Sequence, residues 1–286
     1  MNQTNKTRFI QALAVSEGAG VTVHRTIGTP SLRGYDPFMM LDYFNSDEPG
    51  DYIAGFPSHP HRGFSTFTYM IEGDMEHKDS MGNTGNLGPG GAQWMKAASG
   101  VVHSEMPKQE DGLMRGFQLW INLPAAHKMD NPEYQEYTAE AFPLVKTSDY
   151  LVKVIIGQFG DAVAPIVDEI TQVSYFDVQL NPDKRFQHGL PAENKSFLYL
   201  FEGSGTLKGK DVPTNTFVAL GAEDLELDFV AGSQGARFIL ISGKPIEEPV
   251  VQYGPFVMNT REEIDQAMRD FQSNNFVRDK AWRNRK

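Results

Sequence analysis

Cysteine is absent from the chain. That removes disulfides, thiolate metal ligands, iron–sulfur clusters and thiol nucleophiles together. Basic residues are in deficit: 26 Lys and Arg stand against 37 Asp and Glu, for a net charge of −11. This balance argues against direct nucleic-acid binding, which relies on many Lys and Arg neutralising phosphates. No apolar run approaches the roughly 20 residues of a transmembrane helix. Phe9-Ile10-Gln11-Ala12-Leu13-Ala14-Val15 follows Lys6 and Arg8 in the manner of a secretion signal, but it is short and Gln11 interrupts it. The expectation is a cytoplasmic chain with no membrane segment.

What is present points to β structure. The 286 residues, 40% of them hydrophobic, fit two ordinary domains with substantial cores. Glycine (27) and proline (17) punctuate short apolar-polar runs at 64–71, 116–123, 151–156, 173–180, 196–201 and 236–242, the pattern of a sandwich or barrel. Phe117, Leu119 and Ile121 alternate with Gln118, Trp120 and Asn122, a period of two. One helix closes the chain. Thr260 and Glu263 match a capping box, and Ile264, Ala267, Met268 and Phe271 then form one apolar stripe that Asn274 and Asn275 end. Its reading is a helix packed on the β body.

A weak internal repeat divides the chain. Thr68-Tyr69-Met70-Ile71-Glu72-Gly73 resembles Phe197-Leu198-Tyr199-Leu200-Phe201-Glu202-Gly203, each read as a strand ending in Glu-Gly. An offset this long means two similar domains rather than a solenoid. The boundary falls within 127–150, giving domains 1–135 and 136–286, with the terminal helix in the second.

Within residues 55–107 two pairs carry the chemistry: His59 with His61, and His103 with Glu105. Each pair is spaced i, i+2, so on a strand both members face one side. Side by side, the two strands would bring three imidazoles and one carboxylate to one point. Pro60 lacks an N–H and therefore fits an edge strand. A lone His-x-His also occurs at surfaces and in satisfied cores; two same-face pairs in one domain speak for a metal. The second copy offers Gly189 and Pro191 where the first has His59 and His61, with His188 one place away and expected on the other face. The first domain is expected to hold a metal and the second to be empty. His24, His77 and His127 read as surface or structural residues, and Arg278, Lys280, Arg283, Arg285 and Lys286 as a solvated basic tail.

These residues resemble a known family. His59-Pro60-His61-Arg62-Gly63-Phe64, Gly88-Pro89-Gly90, Gln93-Trp94-Met95 and Gly100-Val101-Val102-His103-Ser104-Glu105 look like the signature of the pirins. Arg115-Gly116-Phe117-Gln118-Leu119-Trp120 and Gln252-Tyr253-Gly254-Pro255-Phe256 extend the likeness along most of the chain. The resemblance implies an all-β bicupin: two jelly-roll β-barrels, with one divalent metal, usually iron, in the N-terminal one. Carried onto matching positions, the ligands are His59, His61, His103 and Glu105. Fe(II) comes first, with Mn, Ni, Cu or Zn as alternatives. The resemblance further implies a quercetin 2,3-dioxygenase-type reaction, in which O2 opens a flavonol or related enol with loss of CO. Glu105 would be the proton acceptor as well as a ligand. Phe56, Phe64, Gln118 and Trp120 are candidates for the substrate pocket, with ordinary core packing the competing reading for the aromatics. The alternative function is a metal- or redox-dependent regulator that binds a partner protein. One departure stands out: many pirins have Glu four residues after the second histidine, and here that position is Ser65.

Overall fold

The computed structural model describes residues 6–278. Lys280, Arg283, Arg285 and Lys286 of the basic tail lie outside the described residues. Strands dominate, and the described residues contain one α-helix, Arg261–Gln272. No helix among them is long and apolar enough to cross a membrane. The strand expected at each of the six runs is present: Phe64–Glu72, Met114–Asn122, Tyr150–Ile156, Ser174–Leu180, Lys195–Leu207 and Glu226–Gly243.

The chain forms two compact units that interleave in sequence: 1–13, 30–37 and 140–245 in one, and 14–29, 38–139 and 246–286 in the other. This differs from a single cut at 135/136. Residues 246–278, assigned from sequence to the C-terminal domain, group with the His-bearing barrel. A linear repeat cannot reveal a segment that doubles back to its distant neighbour.

Two larger sheets form the His-bearing unit, beside a small hairpin of Val251–Tyr253 and Phe256–Met258. One runs in the order Glu133–Tyr137, Ala92–Lys96, Phe64–Glu72, Met114–Asn122, Phe38–Ser46, Val21–Arg25, Leu13–Glu17. The other runs Phe56–His61, Val101–Pro107, Met75–Asp79, Thr84–Leu87. Phe56–His61 is therefore an edge strand, and Pro60 sits where a missing N–H costs no ladder bond.

The returning segment closes this unit beneath the histidines. Val257 N donates to Arg62 O at 3.0 Å, and Arg62 N to Pro255 O at 3.3 Å. Gly63 has φ +90°, and a Cβ there would stand 1.9 Å from the Val257 oxygen, so only glycine fits. Arg62 is buried; its Nε donates to Ser99 O at 2.7 Å and its Nη1 to Asp270 Oδ2 of the helix at 2.7 Å. Lys128 is buried as well, donating to Gly63 O (2.7 Å), Asn122 Oδ1 (2.6 Å) and Val257 O (2.9 Å). The helix has the expected capping box. Ile264 and Ala267 are fully buried, while Phe271, expected in the stripe, is 45% exposed and meets the rings of Phe256 and Phe276 edge-on.

The C-terminal unit centres on two long strands, Lys195–Leu207 and Glu226–Gly243, paired over most of their length. Its core contains Phe176, Phe186, Phe229 and Phe238. The second Glu-Gly does not end a strand. Gly203 takes φ +71° against Gly235, the register shifts there, and the strand continues as a bent bulge.

Candidate metal centre

Register brings the two motif pairs together. Val101–Pro107 pairs antiparallel with Phe56–His61, setting His103 opposite His59 and Val101 opposite His61. The three imidazoles cluster with centroids 4.6 Å (His59–His61), 4.4 Å (His59–His103) and 4.8 Å (His61–His103) apart. His61 and His103 are buried and His59 is half-buried. Burial holds the His61 and His103 imidazoles well below their ordinary pKa, and neighbouring histidines add to the effect; a weaker pull from the Pro255 carbonyl opposes it at His61. Both rings are thus neutral, the form a metal ligand needs.

His59 Nδ1 lies 2.8 Å from the Pro57 carbonyl, which can only accept, so His59 carries its proton there and directs the Nε2 lone pair inward. That Nε2 lies 2.9 Å from His61 Nε2. His103 Nε2 is buried with no hydrogen-bond partner, as is His61 Nδ1. A buried ring nitrogen without a partner is rare in a folded protein, and a metal ion would give His103 Nε2 one; His61 turns its other nitrogen, Nε2, toward His59.

Glu105 is 1% exposed. Its Oε1 accepts from Gln93 Nε2 (2.6 Å) and Thr68 Oγ1 (3.0 Å), and its Oε2 from Gln118 Nε2 (2.7 Å). Gln118, expected in the substrate pocket, therefore spends its amide on the carboxylate. Among the described residues two donor triads share His103: His59–His61–His103 and His77–His103–Glu105, each with its ligand atoms within 4.8 Å of one another. Three buried imidazoles and a carboxylate around such gaps fit a divalent transition metal.

The aromatics divide. Phe64 is buried, lies tilted against Trp120 (4.3 Å) and meets the His61 ring edge-on (5.0 Å), and Trp120 meets His61 edge-on at 5.1 Å. Both line the barrel interior beside the histidines. Phe56 packs instead into a separate apolar cluster with Val21, Phe44 and Met70, the competing core reading. Trp120 and Thr66 are cross-strand partners, and Trp120 Nε1 and Thr66 Oγ1 are both buried without a hydrogen bond. Thr68 reaches Glu105 and Phe64 touches His61, so the even positions of this strand face the site. Ser65 faces away, and its departure from the family pattern leaves the ligand cluster untouched.

His77 is the residue missed. It is 1% exposed, lies beside His103 with ring centroids 5.2 Å apart, and stacks on Tyr134 at 4.6 Å and 20°. Glu105 is its register partner, and Asp79 is that of His103. The signal was in the sequence: His77 and Asp79 are a third i, i+2 pair on a strand. In the other unit, His188 alternates with Gly189 along the strand Arg185–Gly189 and so faces the opposite side from it. It stands on the same side of its strand as the buried Phe186, stacks on Phe159 at 5.0 Å and 16°, and lines a cavity of about 580 Å³ with Phe176 and Gln158.

With this geometry in view, comparison with known proteins is direct. The pirin profile matches residues 20–121, and the pirin C-terminal cupin domain matches residues 175–277. The chain belongs to the pirin family. Its fold is accordingly that of a two-cupin pirin. A Pseudomonas aeruginosa protein named as a provisional quercetin 2,3-dioxygenase is 49% identical over 264 residues, covering 90% of this chain and 92% of that one. Human pirin is 39% identical over 278 residues, covering 94% and 93%. The crystal structure of an Acinetobacter baumannii quercetin 2,3-dioxygenase superposes with a TM-score of 0.86 at 30% identity, covering 95% of this chain and 98% of that one.

Proposed function

We propose that the chain is a mononuclear dioxygenase that opens a flavonol or related enol with O2. One divalent metal, Fe(II) in the first place, would be held by His59, His61, His103 and Glu105. The observation that supports this most is the imidazole cluster, with His61 and His103 buried and neutral, beside a braced carboxylate, and with His103 Nε2 lacking a hydrogen-bond partner. The names of the Pseudomonas and Acinetobacter relatives point the same way. When bound, the metal would supply Lewis acidity toward a substrate oxygen and the means to activate O2.

The remaining work falls to side chains. Thr68, Gln93 and Gln118 hold both Glu105 oxygens in place. Oε2, with one hydrogen bond, is the atom that takes the substrate hydroxyl proton. Phe64 and Trp120 form an aromatic wall beside His61, and Trp120 Nε1 and Thr66 Oγ1 supply unused polar groups for the substrate.

Protein purified without added metal should carry about one transition metal per chain. It should consume quercetin under air with release of CO, and Glu105→Gln should abolish turnover. A chain that stays metal-free after anaerobic incubation with Fe(II) would overturn the site. A loaded chain that turns over no flavonol would overturn the activity.

A further inference from the structure

Three side chains form a line leading into the histidine cluster from outside the expected ligand set. Asp79 Oδ2 lies 3.3 Å from His77 Nε2, and His77 Nδ1 lies 3.4 Å from His103 Nδ1. We infer that His77, anchored by Asp79, is a positioning residue that holds His103 in the tautomer whose Nε2 lone pair faces the metal. The inference rests on the metal-centre reading above and adds to it the group that orients one ligand.

The tautomers follow from the end of the line. Asp79 accepts the backbone N–H groups of Met81 and Asn83 at 2.9 Å on Oδ1, and Asn83 Nδ2 at 2.6 Å on Oδ2. A carboxylate so engaged is an acceptor, so His77 Nε2 carries a hydrogen and donates. An imidazole that donates from Nε2 accepts at Nδ1 in its uncharged form, so His103 presents Nδ1–H to it across the 3.4 Å contact. The remaining His103 nitrogen, Nε2, is left with a lone pair, and it is the buried nitrogen without a protein partner. Tyr134 stacked on His77 at 4.6 Å keeps the ring plane from rotating out of line. A metal-ligating histidine ordinarily gives its second N–H to a carboxylate, carbonyl or water. Here an imidazole is interposed between the ligand and its carboxylate.

Tautomers are directly readable in 15N–1H spectra, in which the two ring nitrogens of a neutral imidazole differ. In the metal-free chain, His103 is expected as the Nδ1–H form and His77 as the Nε2–H form; His103 found as Nε2–H would overturn the inference whether or not the chain binds metal. The second measurement uses Co(II), by chelator competition and visible absorption. His77→Leu should weaken Co(II) binding about 10–100-fold and change the absorption bands while leaving one ion per chain. His77→Gln, whose carbonyl can accept from Nδ1–H, should restore most of the affinity. Equal affinity in His77→Leu, or loss of one coordinated imidazole from the cobalt spectrum, would refute the positioning role. A parent chain that takes up no Co(II) fails the metal reading instead, and the tautomer measurement then decides the relay alone.

Discussion

Gln118 offers the sharpest test of how the carboxylate is held. Its amide is the donor to Glu105 Oε2, at 2.7 Å, while Oε1 has two donors. Gln118→Met keeps the length of the side chain but removes that donor, leaving a charged oxygen in a residue 1% exposed. Hydrogen bonds to charged groups contribute about 1.5–3 kcal/mol, and an orphaned buried acceptor loses at least that much. For a unit of this size each kcal/mol moves the midpoint by roughly 2–4 °C, so the metal-free variant should melt about 3–12 °C lower. A bound cation would face the same carboxylate and replace the lost donor. The gap between variant and parent should therefore shrink when metal is added. The assay is thermal unfolding of both proteins, with chelator and with saturating Zn(II) under otherwise identical conditions. A variant as stable as the parent in chelator refutes the brace. A gap unchanged by metal refutes Glu105 as a ligand while leaving the brace intact.

Burial holds the Lys128 ammonium down to about 8 from its usual 10.5. Between those values the unfolded chain binds more protons than the folded one, so stability rises with pH across that window and the burial penalty is complete below pH 8. Relative to Lys128→Met, the parent should gain up to about 3 kcal/mol from pH 8 to 10.5, and parallel pH profiles in denaturant titrations would contradict this. Gly63→Ala places a Cβ 1.9 Å from the Val257 oxygen at φ +90°; it should destabilise by more than about 3 kcal/mol, and a variant with unchanged Tm would show that the return segment yields freely. Thr260→Ala removes the helix cap that receives Glu263 N at 3.2 Å and should cost about 1 kcal/mol by denaturant unfolding. No loss there would mean that tertiary packing alone fixes the helix start.

The parts of this molecule legible in sequence are those with a short period. The i, i+2 spacing of His59 with His61 and of His103 with Glu105 survives directly as one face of paired strands. The Thr260–Glu263 box places the helix because capping is local. What escaped depends on distance along the chain. Gln118 carries no mark of its use until register sets it beside Thr68 and within reach of Glu105. Lys128 and Arg62 look like ordinary surface cations, and only folding surrounds them with carbonyl oxygens and Asp270. His77 and Asp79 have the same i, i+2 spacing as His103 and Glu105, but only the register of their strand brings His77 beside His103. Phe56 shows the reverse: closeness in sequence to His59 did not bring its ring to the site.

The clasp on Arg62 has a temporal side. Arg62 Nη2 reaches the Phe276 carbonyl at 3.3 Å, a partner 214 positions later. At about 5–20 residues per second of synthesis, that separation is roughly 10–40 s on the ribosome. The histidine motif thus emerges long before the segment that buries the arginine next to it. Residues 140–245, the bulk of the other unit, are translated in the interval. The barrel that comes first in the gene is the one completed last, and a chain stopped short of residue 276 carries all its metal donors without the clasp that seats them.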